Sequence, residues 1–523
     1  MRRALSVAFG LALAASGLTV IPAAAETPLW VTHVQHFPGG ISDGVRAKLT
    51  AAALTGGVSG ASGGSLRNVQ INDETNPDLP LDETAVAFDP NHPMIAVASA
   101  NDFNFPGGLF IGRTADGGRT WSSLHKAADT STGHRCVGSD PSVVFSQRDQ
   151  AFFVSTLCFF FNRPDSEIDV WKSVDDGITW TPSDKAAVAI SNLQPTGPAD
   201  ASVFFDKELL AVDNDPASPH FGRLYLTFIK FHMLPSGFSD FCPVQLASTD
   251  NVPTADPTTT VWSHTAVVPD LPQDQGVGPG ANQWALPVVD TAGGLDIAYA
   301  SEDCNTGFDR TLFFNRSVDG GSTFGTAVQI NRGNEFVDNP DLNDLLPNKH
   351  FRAPLSPSLA FNPTTGTLDF VYQNNVNRAV SGADISFQQS RDFGKHWSHA
   401  RFISITATGA PAPNDQYEPW LAVDEAGNLH AIWYDNRNDP GNKLIETFEA
   451  FSPNDGASWT NADISTTAWN PDTSFFACGC FIGDYTGFAA SNAVRYPVWT
   501  DGRNSPGLPR GSTDIFTNVE ISG

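Results

Sequence analysis

The sequence predicts an all-β fold in which a four-stranded unit is repeated seven times, and three observations lead to this prediction. A turn pattern of the type Ser/Thr-x-Asp-x-Gly-x-Thr-Trp recurs along the chain. Each copy lies in a longer unit of short apolar runs that are typical of strands. No helical segment is expected between the units, so the repeat itself has to build the fold.

The chemistry of a hairpin turn explains why the residues of this pattern recur at the same spacing. The Asp side chain can accept backbone N–H bonds across the turn, and Gly can adopt positive φ. Thr and Trp then open the next strand, where the indole has a large area to bury. We therefore expect a structural role for these turns. The copies span 114–121, 173–180, 317–324, 390–397 and 452–459, with a degenerate copy from Ser248 to Trp262.

Each unit places its strands in the same order. A first strand such as ETAVAFD or PSLAFN is followed by a second such as MIAVASAND or LDFVYQNN. The third strand leads into the turn, and the fourth carries the tryptophan. Seven such units predict a single β-propeller of seven four-stranded blades, with six blades as the alternative. The last unit has only three clear strands, so a strand around 66–71 is expected to complete it and close the ring.

The chain divides into three parts. Residues 1–25 combine two arginines, an apolar run and a small-residue site, which indicates a secretory signal peptide. Residues 26–64, rich in Gly, Ala and Ser, are expected to be a loose N-terminal extension, and residues 65–523 form the propeller. No later stretch is apolar and long enough to span a membrane. An exported protein, and a monomer, is therefore expected.

The net charge of −27 and the sequence pI near 4.6 argue against nucleic acid or an anionic membrane as a partner. The sequence also lacks HExxH, GxSxG and Walker patterns, so protease, esterase and nucleotidase activities have no support.

The six cysteines of an exported chain are expected to form disulfides. Cys136 precedes a first strand and Cys158 ends the second strand of the same blade, so the two are expected to be bonded. Cys242 and Cys304 fall on the same rim of neighbouring blades and form the second expected pair. For Cys478-Gly479-Cys480, both a disulfide and a metal or redox role are left open.

Residues just before first strands and just after second strands should share the end of the propeller that lies opposite the turns. Most of them are polar, and charges beside buried strands are costly without partners. They therefore form either a self-satisfying network of ion pairs or a functional site. They include Asp82, Glu83, Asp140, Asp206, Lys207, Glu208, Gln283, Arg352, Glu418, Asp484 and Tyr485 before first strands, and Asp102, Asp435, Arg437, Asp501 and Arg503 after second strands.

The turn pattern resembles the Asp box of bacterial sialidases and related proteins. As a repeat signature, the resemblance covers most of the chain and implies a propeller with the Asp boxes opposite the active site. Sialidases have six blades and use a tyrosine nucleophile. Asp boxes also occur in xyloglucan hydrolases and in non-catalytic receptors and assembly factors, so the resemblance does not determine the function.

Three arginines come from consecutive predicted blades and could converge on a ligand carboxylate. Arg352, Arg437 and Arg503 would each bind it with two parallel hydrogen bonds. Three carboxylates beside them complete the predicted substrate-binding set, namely Asp435, Asp501 and Asp484.

Tyr485 is the predicted nucleophile, at the mouth of the last blade. A neighbouring carboxylate, Glu418 or Glu208, would activate it, and Asp82 or Asp102 would act as the acid–base partner. The sequence therefore predicts a secreted, sialidase-like glycoside hydrolase that acts on an extracellular glycan, with an acidic sugar as one option.

Two alternatives stay open at this level. One is a polysaccharide lyase with Tyr485 or His350 as the base and an arginine that neutralises a uronate. The other is a non-catalytic propeller that binds a glycan or a protein. No cofactor is expected to be required, and a structural calcium ion is left open.

Overall fold

The structure is a computed structural model that describes most of the chain. It covers residues 27–37, 39–51, 68–73, 79–103, 108–130, 134–194, 197–270, 280–339, 344–473, 481–506 and 512–519. The predicted signal peptide and the pair Cys478 and Cys480 lie outside these residues. In the part that is covered, no helix is apolar and long enough to cross a membrane.

Seven antiparallel sheets stand around a common axis, which confirms the predicted seven-bladed β-propeller. The first blade contains β2 (Leu81–Asp89), β3 (His92–Asp102), β4 (Gly108–Thr114) and β5 (Ser122–Ala127). The second contains β6 (Val137–Ser146), β7 (Ala151–Phe159), β8 (Ser166–Ser173) and β9 (Ala187–Ser191). The third contains β10 (Val203–Val212), β11 (Leu224–Met233), β13 (Val244–Thr249) and β14 (Ser263–Ala266). The short β12 (Ser239–Phe241) pairs with β11 at the end of the third blade.

The remaining blades repeat the same order. Blade four contains β15 (Asn282–Val289), β16 (Leu295–Glu302), β17 (Asp309–Ser317) and β18 (Val328–Gln329). Blade five contains β19 (Ser358–Asn362), β20 (Thr367–Asn374), β21 (Asp384–Ser390) and β22 (Arg401–Phe402). Blade six contains β23 (Gln416–Val423), β24 (Leu429–Asp435), β25 (Glu446–Ser452) and β26 (Thr460–Asp463). The first strand of each blade contacts the first strand of the next, so these strands surround the axis.

The seventh blade joins the two ends of the described chain. It contains β27 (Gly487–Ala490), β28 (Arg495–Asp501) and β29 (Asp514–Asn518), and its outer strand is β1 (Asn68–Gln70). Val69 pairs with Thr517 and Gln70 with Phe516 in antiparallel register. The predicted closure by an N-terminal strand is confirmed, and it covers an edge that would otherwise be unpaired.

The repeated turns have the predicted geometry. Asp116 Oδ1 accepts a hydrogen bond of 2.9 Å from the Thr120 amide, and Oδ2 accepts one of 2.6 Å from the Thr120 hydroxyl. The Gly118 amide donates to Thr114 Oγ1 at 3.0 Å, with Gly118 at φ 85°. The amide of Gly117 donates to the Met94 carbonyl beside the β2–β3 turn, so the repeated turns lie at the end of the blade away from Asp82. Asp175, Asp319, Asp392 and Asn454 occupy the equivalent position in other blades.

Both expected disulfides are present. Cys136 is bonded to Cys158 within the second blade, and Cys242 is bonded to Cys304 between the third and fourth blades. Each pair lies at the rim that the strand order predicts.

The N-terminal extension is not loose where the structure describes it, which corrects the expectation for that segment. Residues Leu29–His36 form helix α1 and Asp43–Ala51 form helix α2. Trp30 is buried against Phe159 and Phe204, with ring centroids 5.2 Å from each. The prediction missed these helices because the segment is rich in Gly and Ala, although its apolar residues are spaced for one face of a short helix.

Candidate active site on the propeller axis

A backbone bulge at the start of the first strand directs polar side chains to the axis. In five blades the register shifts at this point, as it does between Asp82 and Ala85. The residue inside the bulge has positive φ although it is not glycine, with values between 52° and 61° at Glu83, Asp140, Lys207, Trp284 and Glu418. Such strained positions persist only where the surrounding structure enforces them, and they are frequent at functional sites.

The residues at these bulges, together with Arg352 and Asp484 before the first strands of blades five and seven, form a buried group of charged residues that we call the axial cluster. Each of its side chains is less than a tenth exposed, and carboxylates outnumber cations by seven to two. Its members are Asp82, Glu83, Asp140, Asp206, Lys207, Glu208, Arg352, Glu418 and Asp484.

The two cations of the cluster meet at Asp484. Lys207 Nζ lies 2.8 Å from Asp484 Oδ2, and Arg352 Nε lies 3.5 Å from Oδ1. Burial acts to raise the pKa of Asp484, but Arg352 and Lys207 together hold that pKa below its usual value. Asp484 is therefore a carboxylate in a largely dry site.

Glu83 is the immediate neighbour of Asp484 and has the opposite protonation tendency. Its Oε1 accepts a hydrogen bond of 3.2 Å from the Asp484 amide. Burial, and then the charges of Asp140 and Asp484, raise the pKa of Glu83 well above its usual value. Burial therefore favours the protonated form of Glu83, beside a group whose ionised form is favoured.

Asn101 joins the acids of the first two blades. Its amide nitrogen donates to Asp82 Oδ1 at 3.1 Å and to Glu83, and its oxygen accepts a 2.8 Å hydrogen bond from the Asp140 amide. Burial raises the pKa of Asp82 to about 8. A side-chain amide can satisfy both neighbours because it has donors and acceptors.

Neither Glu418 nor Glu208 is hydrogen-bonded to the hydroxyl of Tyr485, which donates to the Pro141 carbonyl instead. Burial raises the pKa of both carboxyls well above the usual value. The Tyr485 hydroxyl is 3.3 Å from the Pro141 carbonyl oxygen, and burial and then the charge of Glu83 raise its pKa well above 10. The phenol is thus held in its protonated form.

Tyr485 nevertheless lines an axial cavity below the cluster. The cavity has a volume of about 210 Å³ and is bounded by the first strands of all seven blades. Trp420 contributes a second aromatic wall, with its ring centroid 6.2 Å from that of Tyr485. Aromatic faces of this kind offer a stacking surface to a sugar-sized ligand.

The three arginines do not come together. Arg437 pairs with Asp435 at 2.7 Å and stacks over Phe448 in the wall of blade six. Arg503 pairs with Asp501 at 2.6 Å and stacks over Phe516 in the wall of blade seven, so only Arg352 reaches the axis. The expected three-arginine carboxylate site is not formed. Each outer arginine instead neutralises the aspartate two residues before it.

Asp435 and Asp501 repeat one structural role. Each accepts a hydrogen bond from the indole two residues earlier, 2.8 Å from Trp433 to Asp435 and 2.9 Å from Trp499 to Asp501. Asp102, the other predicted acid–base residue, is paired with His125 outside the axial cluster. All three carboxylates therefore have partners within the blades.

Metal-ligating geometry is found at one place in the described part of the chain, away from the axis. One ligand atom each from Cys158, Glu167 and Asp169 lie within 4.8 Å of one another. Cys158 is bonded to Cys136, so two carboxylates remain as ligands.

The sequence placed Asp82, Glu208, Arg352, Glu418 and Asp484 on the correct rim. It did not assign roles to Glu83, Asp140, Asp206 and Lys207, although it named them there. Glu83, Asp140 and Lys207 share one position, two residues before the register of the first strand resumes, and Asp206 directly precedes Lys207.

Neither a protein-family model nor a curated protein matches this chain. Among solved structures, it is similar to the Hadza microbial sialidase Hz136, with 12% identity, coverage of 82% of this chain and 73% of that chain, and a TM-score of 0.42. It is also similar to an α-L-arabinofuranosidase from Fusarium graminearum, with 14% identity, coverage of 75% of this chain and 98% of that chain, and a TM-score of 0.45. A third similar structure is a Trypanosoma rangeli sialidase, with 13% identity, coverage of 88% of this chain and 60% of that chain, and a TM-score of 0.44. These similarities identify no residue of the site in this chain.

Proposed function

We propose that the axial cluster is the active site of a glycoside hydrolase that acts on an extracellular glycan. The observation that carries this proposal is the adjacency of Glu83 and Asp484, whose pKa values are displaced in opposite directions. Most glycoside hydrolases use one protonated and one ionised carboxyl group that flank the scissile bond.

The environment of each carboxyl supports one role. The raised pKa of Glu83 favours its protonated form, so it would donate a proton to the leaving oxygen of the glycosidic bond. Asp484 stays ionised between Lys207 and Arg352, so it would act as the base for a water molecule or as the nucleophile. We assign Tyr485 to the wall of the sugar site, because its raised pKa does not suit a nucleophile.

The charge of the site favours a neutral or cationic sugar. Both cluster cations already face Asp484, so neither is left free to pair with an acidic ligand. This replaces the acidic sugar that three converging arginines would have bound.

The proposal is tested with the purified chain and a panel of neutral, amino and acidic glycans. New reducing ends report hydrolysis, and ultraviolet absorbance reports the unsaturated product of a lyase. We expect Glu83→Gln and Asp484→Asn each to lower turnover by at least about 100-fold, the usual contribution of a general acid or base. Asp435→Asn is the matched control, because Asp435 bonds to Trp433 within a blade.

Turnover that survives in both variants would overturn these assignments. Glycan binding without any product would favour the non-catalytic propeller. An unsaturated uronide would favour the lyase.

A further inference from the structure

Residues 39–48, which we call the axial insert, lie directly against the axial cluster. The Ser42 amide donates a hydrogen bond of 2.5 Å to Asp206 Oδ2, and the Asp43 amide donates one of 3.4 Å to Asp484 Oδ2. Helix α2 begins at Asp43, so its first amide groups face the acids. The positive end of a helix is thus presented to a group of carboxyls.

Gly44 shows how closely the insert approaches the proposed catalytic acid. A β-carbon at this position would overlap Glu83 Oε2 and would lie 2.7 Å from Asp140 Oδ1. The backbone of the insert therefore occupies the space beside Glu83 where a sugar would have to lie. A residue with a side chain could be accommodated only if these carboxyls moved.

Charged side chains add further contacts between the axial insert and the residues at the axis. The fully buried Lys48 ammonium donates to the Asp102 carbonyl at 2.7 Å and lies 4.5 Å from the centre of the Phe103 ring. Asp43 Oδ1 lies 3.7 Å from Arg352 Nη1. The insert thus offers donors and a cation to the acids, and an acceptor to the arginine.

The insert is held in place from outside the axis. Trp30 on helix α1 packs between the aromatic residues Phe159 and Phe204 of blades two and three. Arg46 links the two helices, since its Nη2 donates to the Phe37 carbonyl at 3.1 Å. These contacts involve none of the residues of the axial cluster, so they can be weakened separately.

We propose that the axial insert is an internal occupant of the ligand site, and that a donor-rich neutral or cationic sugar binds only by displacing it. This inference rests on the proposed function in taking the axial cluster as the ligand site. The insert already donates hydrogen bonds to two of the acids, Asp206 and Asp484, as such a sugar would. Ligand affinity is then reduced by the fraction of molecules in which the insert is displaced.

The test uses the full chain with the substitution Gly44→Glu, which adds bulk and negative charge beside Glu83 and Asp140. Trp30→Ala is the second variant, because it loosens the anchor without touching the cluster. Gly325→Glu is the control, since Gly325 is exposed with ordinary φ and little around it. Hydrogen–deuterium exchange of residues 39–48 reports displacement, and calorimetric titration with a glucosamine hexasaccharide reports binding.

We expect exchange in the insert to accelerate at least tenfold in Gly44→Glu and Trp30→Ala, with affinity for the hexasaccharide rising at least tenfold. Gly325→Glu should match the unaltered chain in both measurements. Faster exchange without a gain in affinity would overturn the inference, as would unchanged exchange in both variants. If Gly44→Glu does not fold, Trp30→Ala decides the outcome. Tighter binding without hydrolysis would leave this inference standing and would remove only the proposed hydrolase activity.

Discussion

Lys207 and Asp484 form an ion pair of 2.8 Å across the propeller axis, from blade three to the residue that precedes the first strand of blade seven. They are 277 positions apart in the sequence. Lys207 also lies 4.2 Å from the centre of the Trp284 ring, which leaves its ammonium almost fully enclosed. This pair therefore couples the stability of the ring to the charge state of the proposed base.

Removal of one partner should be costly, because the other charge would remain buried and unpaired. We expect Lys207→Met to lower the free energy of unfolding by about 3–5 kcal/mol, as measured by urea denaturation. Combining it with Asp484→Asn should recover part of that loss. Lys230→Met breaks the more exposed pair with Asp270 and should cost less than about 1 kcal/mol. Equal losses in the two single variants would contradict this prediction.

The axial acids should make the fold sensitive to alkaline pH. Burial raises the pKa of Asp82 and of Asp206 to about 8, whereas an unfolded Asp titrates near 3.9. A carboxyl group with a raised pKa contributes a stabilisation that is fully present below about pH 4, and this stabilisation is lost as the pH rises through 8. Urea unfolding between pH 5 and 9 should therefore show falling stability, with a flatter profile in Asp206→Asn. A steep profile that is identical in this variant would show that other groups are responsible.

The repeated turns should matter for stability and not for turnover. We expect Asp319→Ala to lower the free energy of unfolding by about 1–3 kcal/mol at pH 7, the range for lost turn hydrogen bonds. The Thr323 hydroxyl and amide lower the pKa of Asp319 to about 2, so this contribution should fade as the pH falls from 4 towards 2. Activity per folded molecule should be unchanged. Val318→Ala, at an exposed neighbour, should have little effect.

Arg352 and Arg437 should respond differently to the same substitution. Lysine keeps the charge and loses the planar fork. Arg352→Lys should weaken glycan binding several-fold, because Arg352 holds Asp484 in place. Arg437→Lys should change thermal stability slightly and leave glycan affinity within a factor of two, because its partner is Asp435. A titration in which both variants bind equally weakly would argue for a shared ligand contact.

The disulfide between blades three and four should contribute more than the one inside blade two. Cys242 and Cys304 are 62 residues apart, against 22 for Cys136 and Cys158. From the entropy of loop closure, the double Ser variants should lose about 4 and about 3 kcal/mol respectively. Differential scanning calorimetry measures the losses, and peptide mapping without reductant checks the pairing. Pairing of Cys242 with Cys136 would contradict the strand register.

Local patterns proved sufficient wherever a property depends on neighbours in the chain. The turn around Asp116 could be predicted because its acceptors and donors lie within seven residues of each other. The closure by Val69 could be predicted because the last unit lacked a strand. The convergence of Arg437 and Arg503 with Arg352 could not be judged in this way, because proximity in blade order does not determine where a long side chain turns.

By itself, the sequence determined the repeat, the number of blades, the two disulfide pairs and the rim on which the polar residues gather. Those properties follow from strand alternation, turn chemistry and the order of strands in each blade, all of which are periodic in the chain. The tertiary structure alone decided that Glu83 lies beside Asp484, and that helix α2 covers them both. Bulges that tilt a side chain to the axis, and pKa values set by burial among distant charges, depend on contacts between residues hundreds of positions apart.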